Sequence, residues 1–133
     1  TLLCRGTIDV AQLHGDEDED YIRRLRALST GPIIKAFKIR SDEDICLAEK
    51  SSADYVLLDS GAGTGKAFDW KLLQSIKRPY FLAGGLGIDN AAAAVGALHP
   101  YAVDVSSGIE TDGFKDKIKM AEFVSAVRKE EQT

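Results

Sequence analysis

Five short apolar runs rich in β-branched residues recur along the 133-residue chain at a spacing of 22 to 25 residues. They are Ile8–Leu13, Ile33–Ile39, Tyr55–Leu58, Tyr80–Ala83 and Ala102–Val105. Segments of helical pattern separate or follow them: Glu17–Leu28, Glu43–Lys50, Asp69–Ile76, Asp89–Leu98 and Phe114–Lys129. A beat of strand, helix, strand at this period is a βαβ series, which predicts an α/β fold with a parallel sheet. Right-handed crossovers bring the carboxyl end of every strand to one edge of that sheet. Residues that bind or react are therefore expected just after each run.

The punctuation between the runs agrees with this. Asp16 is a candidate cap for a helix whose apolar face is Tyr21, Ile22, Leu25 and Leu28, and Gly31-Pro32 ends it. Ser41 with Asp44 three residues later is close to a capping box. Asp89-Asn90 precede four alanines, a helix with a smooth face for close packing. Pro79 and Pro100 stand just before strands, where they stop the preceding helices. Cys46, between Ile45 and Leu47, is expected to pack against the sheet, and the last residues, Lys129–Thr133, are expected to fray.

Composition narrows the function classes. With 44% hydrophobic and 29% charged residues the chain is expected to fold as one domain over residues 1–133. No apolar stretch approaches the ~20 residues of a membrane span. A formal charge of −4 argues against nucleic acid as a partner but leaves room for a small anion held by local dipoles. Cys4 and Cys46 lack metal-type spacing and point to a reduced, cytoplasmic setting. No metal or cofactor is expected.

Two of the apolar runs end in small-residue turns. Phe81-Leu82-Ala83 leads into Gly84-Gly85-Leu86-Gly87, and Val103-Asp104-Val105 leads into Ser106-Ser107-Gly108. Backbone N–H groups at such turns, with the positive end of a following helix, make an anion site. Two of them on adjacent strands match the phosphate site at the last two strands of a β/α barrel. Gly84, Gly85, Ser106, Ser107 and Gly108 are thus candidate phosphate ligands; the alternative is tight-turn glycines and capping serines without a ligand. Ser60-Gly61-Ala62-Gly63-Thr64-Gly65-Lys66-Ala67 imitates a nucleotide-binding glycine loop but lacks its first glycine and its final serine or threonine. A loop closing over the site fits those glycines better. Asp59 ends the third run, in a position either to react or to cap that loop.

Taken in order, Asp9-Val10-Ala11-Gln12-Leu13-His14-Gly15, Leu57-Leu58-Asp59-Ser60, Gly63-Thr64-Gly65 with Phe68-Asp69-Trp70, Leu82-Ala83-Gly84-Gly85-Leu86, and Val103-Asp104-Val105-Ser106-Ser107-Gly108-Ile109-Glu110 resemble the phosphoribosylanthranilate isomerases of tryptophan biosynthesis. The motifs cover nearly the whole chain. The resemblance implies a (β/α)8 barrel in which these five runs are strands four to eight. It implies an Amadori rearrangement of a phosphorylated small-molecule substrate, with Asp59 as general acid, His14 as a substrate contact and Asp104 near the substrate hydroxyls. Such an acid needs burial or nearby negative charge to hold its proton near neutral pH. The family's strand-one Lys-Ile-Cys-Gly motif, whose cysteine is the general base, is not among these residues. On that ground the 133 residues alone are expected to be inactive and to need the remaining barrel segment as a partner.

Two other architectures compete. One is a non-catalytic phosphate-binding module built as an open, flavodoxin-like sheet with helices on both faces; the other is one half of a split isomerase. An open flank before Ile8 would expose a sheet edge and invite a second copy to pair. Leu3-Cys4-Arg5-Gly6 faintly echoes the absent cysteine motif, but it precedes a strand and belongs on the opposite edge. Lys35 and Lys38 could add positive charge near the mouth, with side chains expected to reach solvent. His99, beside Pro100, reads as a surface residue.

Overall fold

A parallel ladder of five strands organises the molecule: β1 (Ala11–Leu13), β2 (Ile33–Lys38), β3 (Tyr55–Asp59), β4 (Tyr80–Ala83) and β5 (Ala102–Val103). The structure is a computed structural model that describes residue 2 and residues 5–28, 31–59 and 70–131, with Trp70 described in its backbone alone. The Ser60–Ala67 stretch and Cys4 lie outside the described residues. Strand order follows chain order, β1-β2-β3-β4-β5, and every neighbouring pair is parallel.

That order excludes one of the competing architectures, the flavodoxin-like sheet. A flavodoxin-like sheet reverses direction after its first strands and so carries helices on both faces. Here each crossover steps one strand over in the same direction, which leaves all helices on one face. Among the described residues the α-helices are α1 (Glu19–Leu28), α2 (Asp42–Lys50), α3 (Trp70–Leu73), α4 (Ala91–Leu98) and α5 (Lys117–Glu131). Ile45 and Ala48 of α2, Leu73 of α3, Ala91 and Ala94 of α4 and Phe123 of α5 share one core with Val56, Leu58, Tyr80 and Leu82 of the sheet. Ile22 of α1 packs the same face farther along, against Leu13 and Ile33. The opposite face is a cluster of strand residues alone: Ile34, Ala36, Leu57 and Ala83, with Tyr55 and Phe81 beside them. The open two-faced sheet is therefore not the architecture adopted.

Several boundaries differ from the sequence reading, each for a local reason. The first run yields only three strand residues. Pro32 precedes β2 and has no N–H, so the ladder begins at the Ala11–Ile33 pair, and Ile8 and Val10 stay exposed. Asp18 rather than Asp16 caps α1, accepting the Tyr21 N–H at 2.9 Å. Of the four residues assigned to that helix's apolar face, Tyr21 and Leu28 are exposed. Cys46 is exposed, not packed on the sheet, because α2 turns Ile45 and Ala48 inward at i, i+3 and leaves Cys46 and Leu47 outside.

The C-terminal segment departs furthest. Residues 110–115 form a hairpin, β6 (Glu110–Thr111) and β7 (Phe114–Lys115), so Phe114 is not helical. Its turn residues Asp112 and Gly113 both have positive φ, 53° and 82°, which suits a two-residue Asp-Gly hairpin loop. Asp116 then caps α5, accepting N–H bonds from Ile118 and Lys119 while Thr111 Oγ1 donates to its other oxygen. These bonds hold its carboxyl below the usual range. The helix runs through Glu131 instead of fraying from Lys129. The expected Ser41–Asp44 box does form in its reciprocal half: the Asp44 carboxylate accepts the Ser41 N–H at 3.2 Å.

Tyr80, the first residue of β4, belongs to the helix-side core with 5% of its surface exposed. Burial pushes its phenol up to about 12, against an ordinary value of 10.0. The folded state thus resists the phenolate, so the stabilisation is complete below pH 10 and is lost as pH rises from 10 towards 12. Chemical denaturation of wild type and Tyr80→Phe across pH 8 to 12 should show wild type losing up to about 2–3 kcal/mol more than the variant over that window. Parallel curves for the two proteins would contradict this burial.

Candidate active site

The ladder register puts candidate residues in one row at the carboxyl edge. Lys38 pairs with Asp59, and Asp59 with Ala83. The Asp104 N–H donates to the Leu82 carbonyl at 2.8 Å, which carries the ladder one residue past β5. Because side chains alternate along a strand, Asp59 shares the helix-free face with Leu57, and Asp104 shares it with Ala102. Asp104 lies just beyond the strand, not within it as its sequence context implied, and its side chain is exposed.

Asp59 is 15% exposed in its side chain and meets His14 across the mouth, with Nε2 to Oδ2 at 3.9 Å. His14 follows directly after β1, and its ring is 57% exposed. Lys35 departs from expectation: only 5% exposed, it turns to the helix side and not to solvent. Its ammonium donates to the Gly15 carbonyl at 2.5 Å and to Glu17 Oε2 at 3.1 Å. Lys38 is exposed at the edge. His99 lies on the surface, as expected, as the left-handed C-cap of α4 with φ 47°. A cleft of about 610 Å³ opens beside this edge, lined by His14, Glu17, Lys38 and Arg40 among others.

The two small-residue turns meet. Gly84 and Gly85 have φ of 90° and 67°, a conformation costly for any residue with a Cβ. Gly108 lies in the 3₁₀ turn Ser107–Ile109 and packs onto the first turn. A Cβ on Gly108 would collide with the Leu86 carbonyl oxygen and come within 2.8 Å of Gly87 Cα. The backbones of β4's turn and β5's turn are thus in direct contact, and Ser106 and Ser107 stand exposed beside it.

Two residues missed by the sequence reading shape these turns. Asn90 Oδ1 accepts the Gly87 N–H at 2.9 Å, and its Nδ2 donates to the Gly85 carbonyl at 2.8 Å. Lys115 Nζ donates to the Ser106 carbonyl at 2.9 Å and pairs with Glu110 at 2.6 Å. In a trans peptide the carbonyl and the next N–H point opposite ways. Drawing the Gly85 and Ser106 carbonyls towards these side chains therefore turns the N–H groups of Leu86 and Ser107 away from them. The spacing of Gly87 and Asn90 was a legible capping signal; Lys115 gave none, since its position depends on the hairpin.

The match to known proteins agrees with this geometry. The family model described as N-(5'-phosphoribosyl)anthranilate (PRA) isomerase matches residues 3–126. The N-(5'-phosphoribosyl)anthranilate isomerase of Endomicrobium trichonymphae is 46% identical over 132 residues, covering 95% of this chain and 64% of its own length. The phosphoribosyl anthranilate isomerase of Thermotoga maritima superposes with a TM-score of 0.82 at 30% identity, covering 96% of this chain and 65% of that one. A phosphoribosyl anthranilate isomerase in complex with reduced 1-(o-carboxyphenylamino)-1-deoxyribulose 5-phosphate superposes at 0.78 with 29% identity, covering 96% and 63%. The chain spans a little under two thirds of the length of these relatives. With a family model matched over almost its whole length, the chain belongs to the N-(5'-phosphoribosyl)anthranilate isomerase family.

Proposed function

We propose that this chain carries the general acid and the phosphate-binding half of an N-(5'-phosphoribosyl)anthranilate isomerase site, its five βα units corresponding to the later five of an eight-unit barrel. The observation that carries the reading is the shared edge: Asp59 pairs in register with Ala83, immediately before the turn that rests on Gly108. An acid and an anion cup on neighbouring strands suit a substrate with a phosphate at one end and a protonatable ring oxygen at the other. The one-directional strand order supports the barrel correspondence.

In this reading the Asp59 carboxyl donates its proton to the ribose ring oxygen. The C1–O bond breaks, and the anilino nitrogen lone pair forms the C1=N bond of a Schiff base. A general base then removes the C2 proton, the electron pair moves through C1 to nitrogen, and the resulting enolamine tautomerises to the aminoketone. The base is assigned to the family's strand-one cysteine, whose Lys-Ile-Cys-Gly motif is not in this sequence. His14 contacts the substrate, and Asp104 lies near the substrate hydroxyls. Backbone N–H groups of residues 84–86 and 106–108 hold the phosphate.

In an enzyme containing this segment, Asp59→Asn should lower kcat by about 10²–10⁴ and leave KM within about tenfold, because the lost interaction is made in the transition state. Steady-state kinetics decide it; a variant that keeps more than about a tenth of wild-type kcat moves the acid elsewhere.

Inorganic phosphate titrated into the 133-residue chain, followed by amide chemical shifts, should perturb residues 84–87 and 106–108 first. Asn90→Ala should weaken that binding, since it frees the Gly85 carbonyl to face the anion. Gly85→Leu should weaken it further, by placing a side chain at φ 67° where the ligand approaches. Equal affinity in all three proteins would remove phosphate from these turns.

A further inference from the structure

Gly15 is gripped at both of its peptide groups. Its N–H donates to Glu17 Oε2 at 2.8 Å, and its carbonyl accepts from Lys35 Nζ at 2.5 Å. The gripping groups themselves meet at 3.1 Å, closing a ring of three contacts. The side chain of Lys35 is only 6% exposed, and its ammonium lies 5.8 Å from the centre of the Phe37 ring. A buried ammonium is tolerated only where partners replace its water, and here those partners are the Gly15 carbonyl and a carboxylate. Glu17 is held below the usual carboxylate range by its hydrogen bonds and by Lys35.

The place of this ring gives it a consequence. The β1–β2 ladder ends at the Leu13–Lys35 pair. His14 is the next residue, and beyond it the path of the chain is held by the grip on Gly15. His14 is largely exposed, yet its Nε2 stands 3.9 Å from Asp59 Oδ2. An apolar pair in place of Lys35 and Glu17 could fill the same volume, but it could not hold a peptide N–H and a carbonyl at once.

We propose that the Lys35–Glu17 pair is a positioning device which, by clasping the Gly15 peptide groups, sets His14 beside Asp59 at the mouth of the sheet. Its significance rests on the reading of Asp59 as the acid and His14 as a substrate contact, but its geometry does not. Losing the clasp should release His14 from Asp59 without unfolding the sheet, because Glu17 lies in the loop before α1 and is partly exposed.

The test uses the chain's two histidines. His99 caps α4 just before Pro100 and β5, at the strands' amino edge, and serves as an internal reference. Ring resonances of both are recorded by NMR with and without Asp59→Asn. In the wild-type background the substitution should shift His14 and leave His99 in place. In Glu17→Ala and Lys35→Met backgrounds the His14 response should be lost, while Glu17→Gln, which keeps an acceptor for the Gly15 N–H, should retain it. Circular dichroism confirms that each variant is folded. An undiminished His14 response in folded Glu17→Ala or Lys35→Met, or no response in wild type, overturns the proposal. Failure of the acid reading appears separately, as turnover surviving Asp59→Asn, and leaves the resonance result standing.

Discussion

Backbone hydrogen bonds between parallel strands keep Lys38, Asp59 and Ala83 level with one another, and every feature of the mouth depends on that alignment. Side chains in a strand alternate faces, so a one-residue slip of β3 would send Asp59 to the helix side and Leu58 to the mouth. The slip is resisted by Val56 and Leu58, both 0% exposed, which lock into the core shared with α2, α3, α4 and α5. At the opposite edge, Arg78 reinforces the same arrangement. Its guanidinium donates to the carbonyls of Ala48, Ser51 and Ala53, joining the end of α2 to the entry of β3. The Asp54 carboxylate accepts the Ile33 N–H at the start of β2. The amino edge is cross-linked by these side chains, and the candidate functional groups lie at the carboxyl edge.

Much of this was legible in the amino-acid order. Apolar runs of even spacing predict the parallel sheet, and each run's last residues predict which edge gathers the candidate site residues. Asp59 and the two small-residue turns were found in this way, and the structure brings them to one edge. What escaped depends on contacts distant in sequence. The general habit of lysine places Lys35 in solvent, although a charge in the middle of Ile33-Ile34-Lys35-Ala36-Phe37 is itself a sign of a buried partner. Cys46 and Leu47 lie beside Ile45 in sequence, and only the packing of α2 shows which of the three points inward. The Asp112-Gly113 pair is a hairpin signal, but the apolar residues after it also fit a helix. Trp70's side chain and residues 60–69 lie outside the described residues.

The proposed site sets a carboxylate held in register beside two glycine turns whose backbones touch. Asn90 and Lys115 act on the two turns in the same manner, each drawing one carbonyl to itself. Gly108 brings the turns together, since no side chain fits between it and the Leu86 carbonyl. The Gly15 clasp does for the β1 end of the mouth what Asn90 does for the β4 end. In each case a side chain fixes peptide groups where the ladder has stopped, so that the order of the sheet extends into the loops at its carboxyl edge.

The most direct measurement is the structure of this chain, or of an enzyme containing it, in complex with reduced 1-(o-carboxyphenylamino)-1-deoxyribulose 5-phosphate, the compound bound by one structural relative. The account predicts the phosphate between residues 84–86 and 106–108, contacted by backbone N–H groups, with the Asp59 carboxyl within hydrogen-bond reach of the ribulose chain. A phosphate seated instead in the cleft beside Lys38 and Arg40, with Asp59 out of reach, would contradict it.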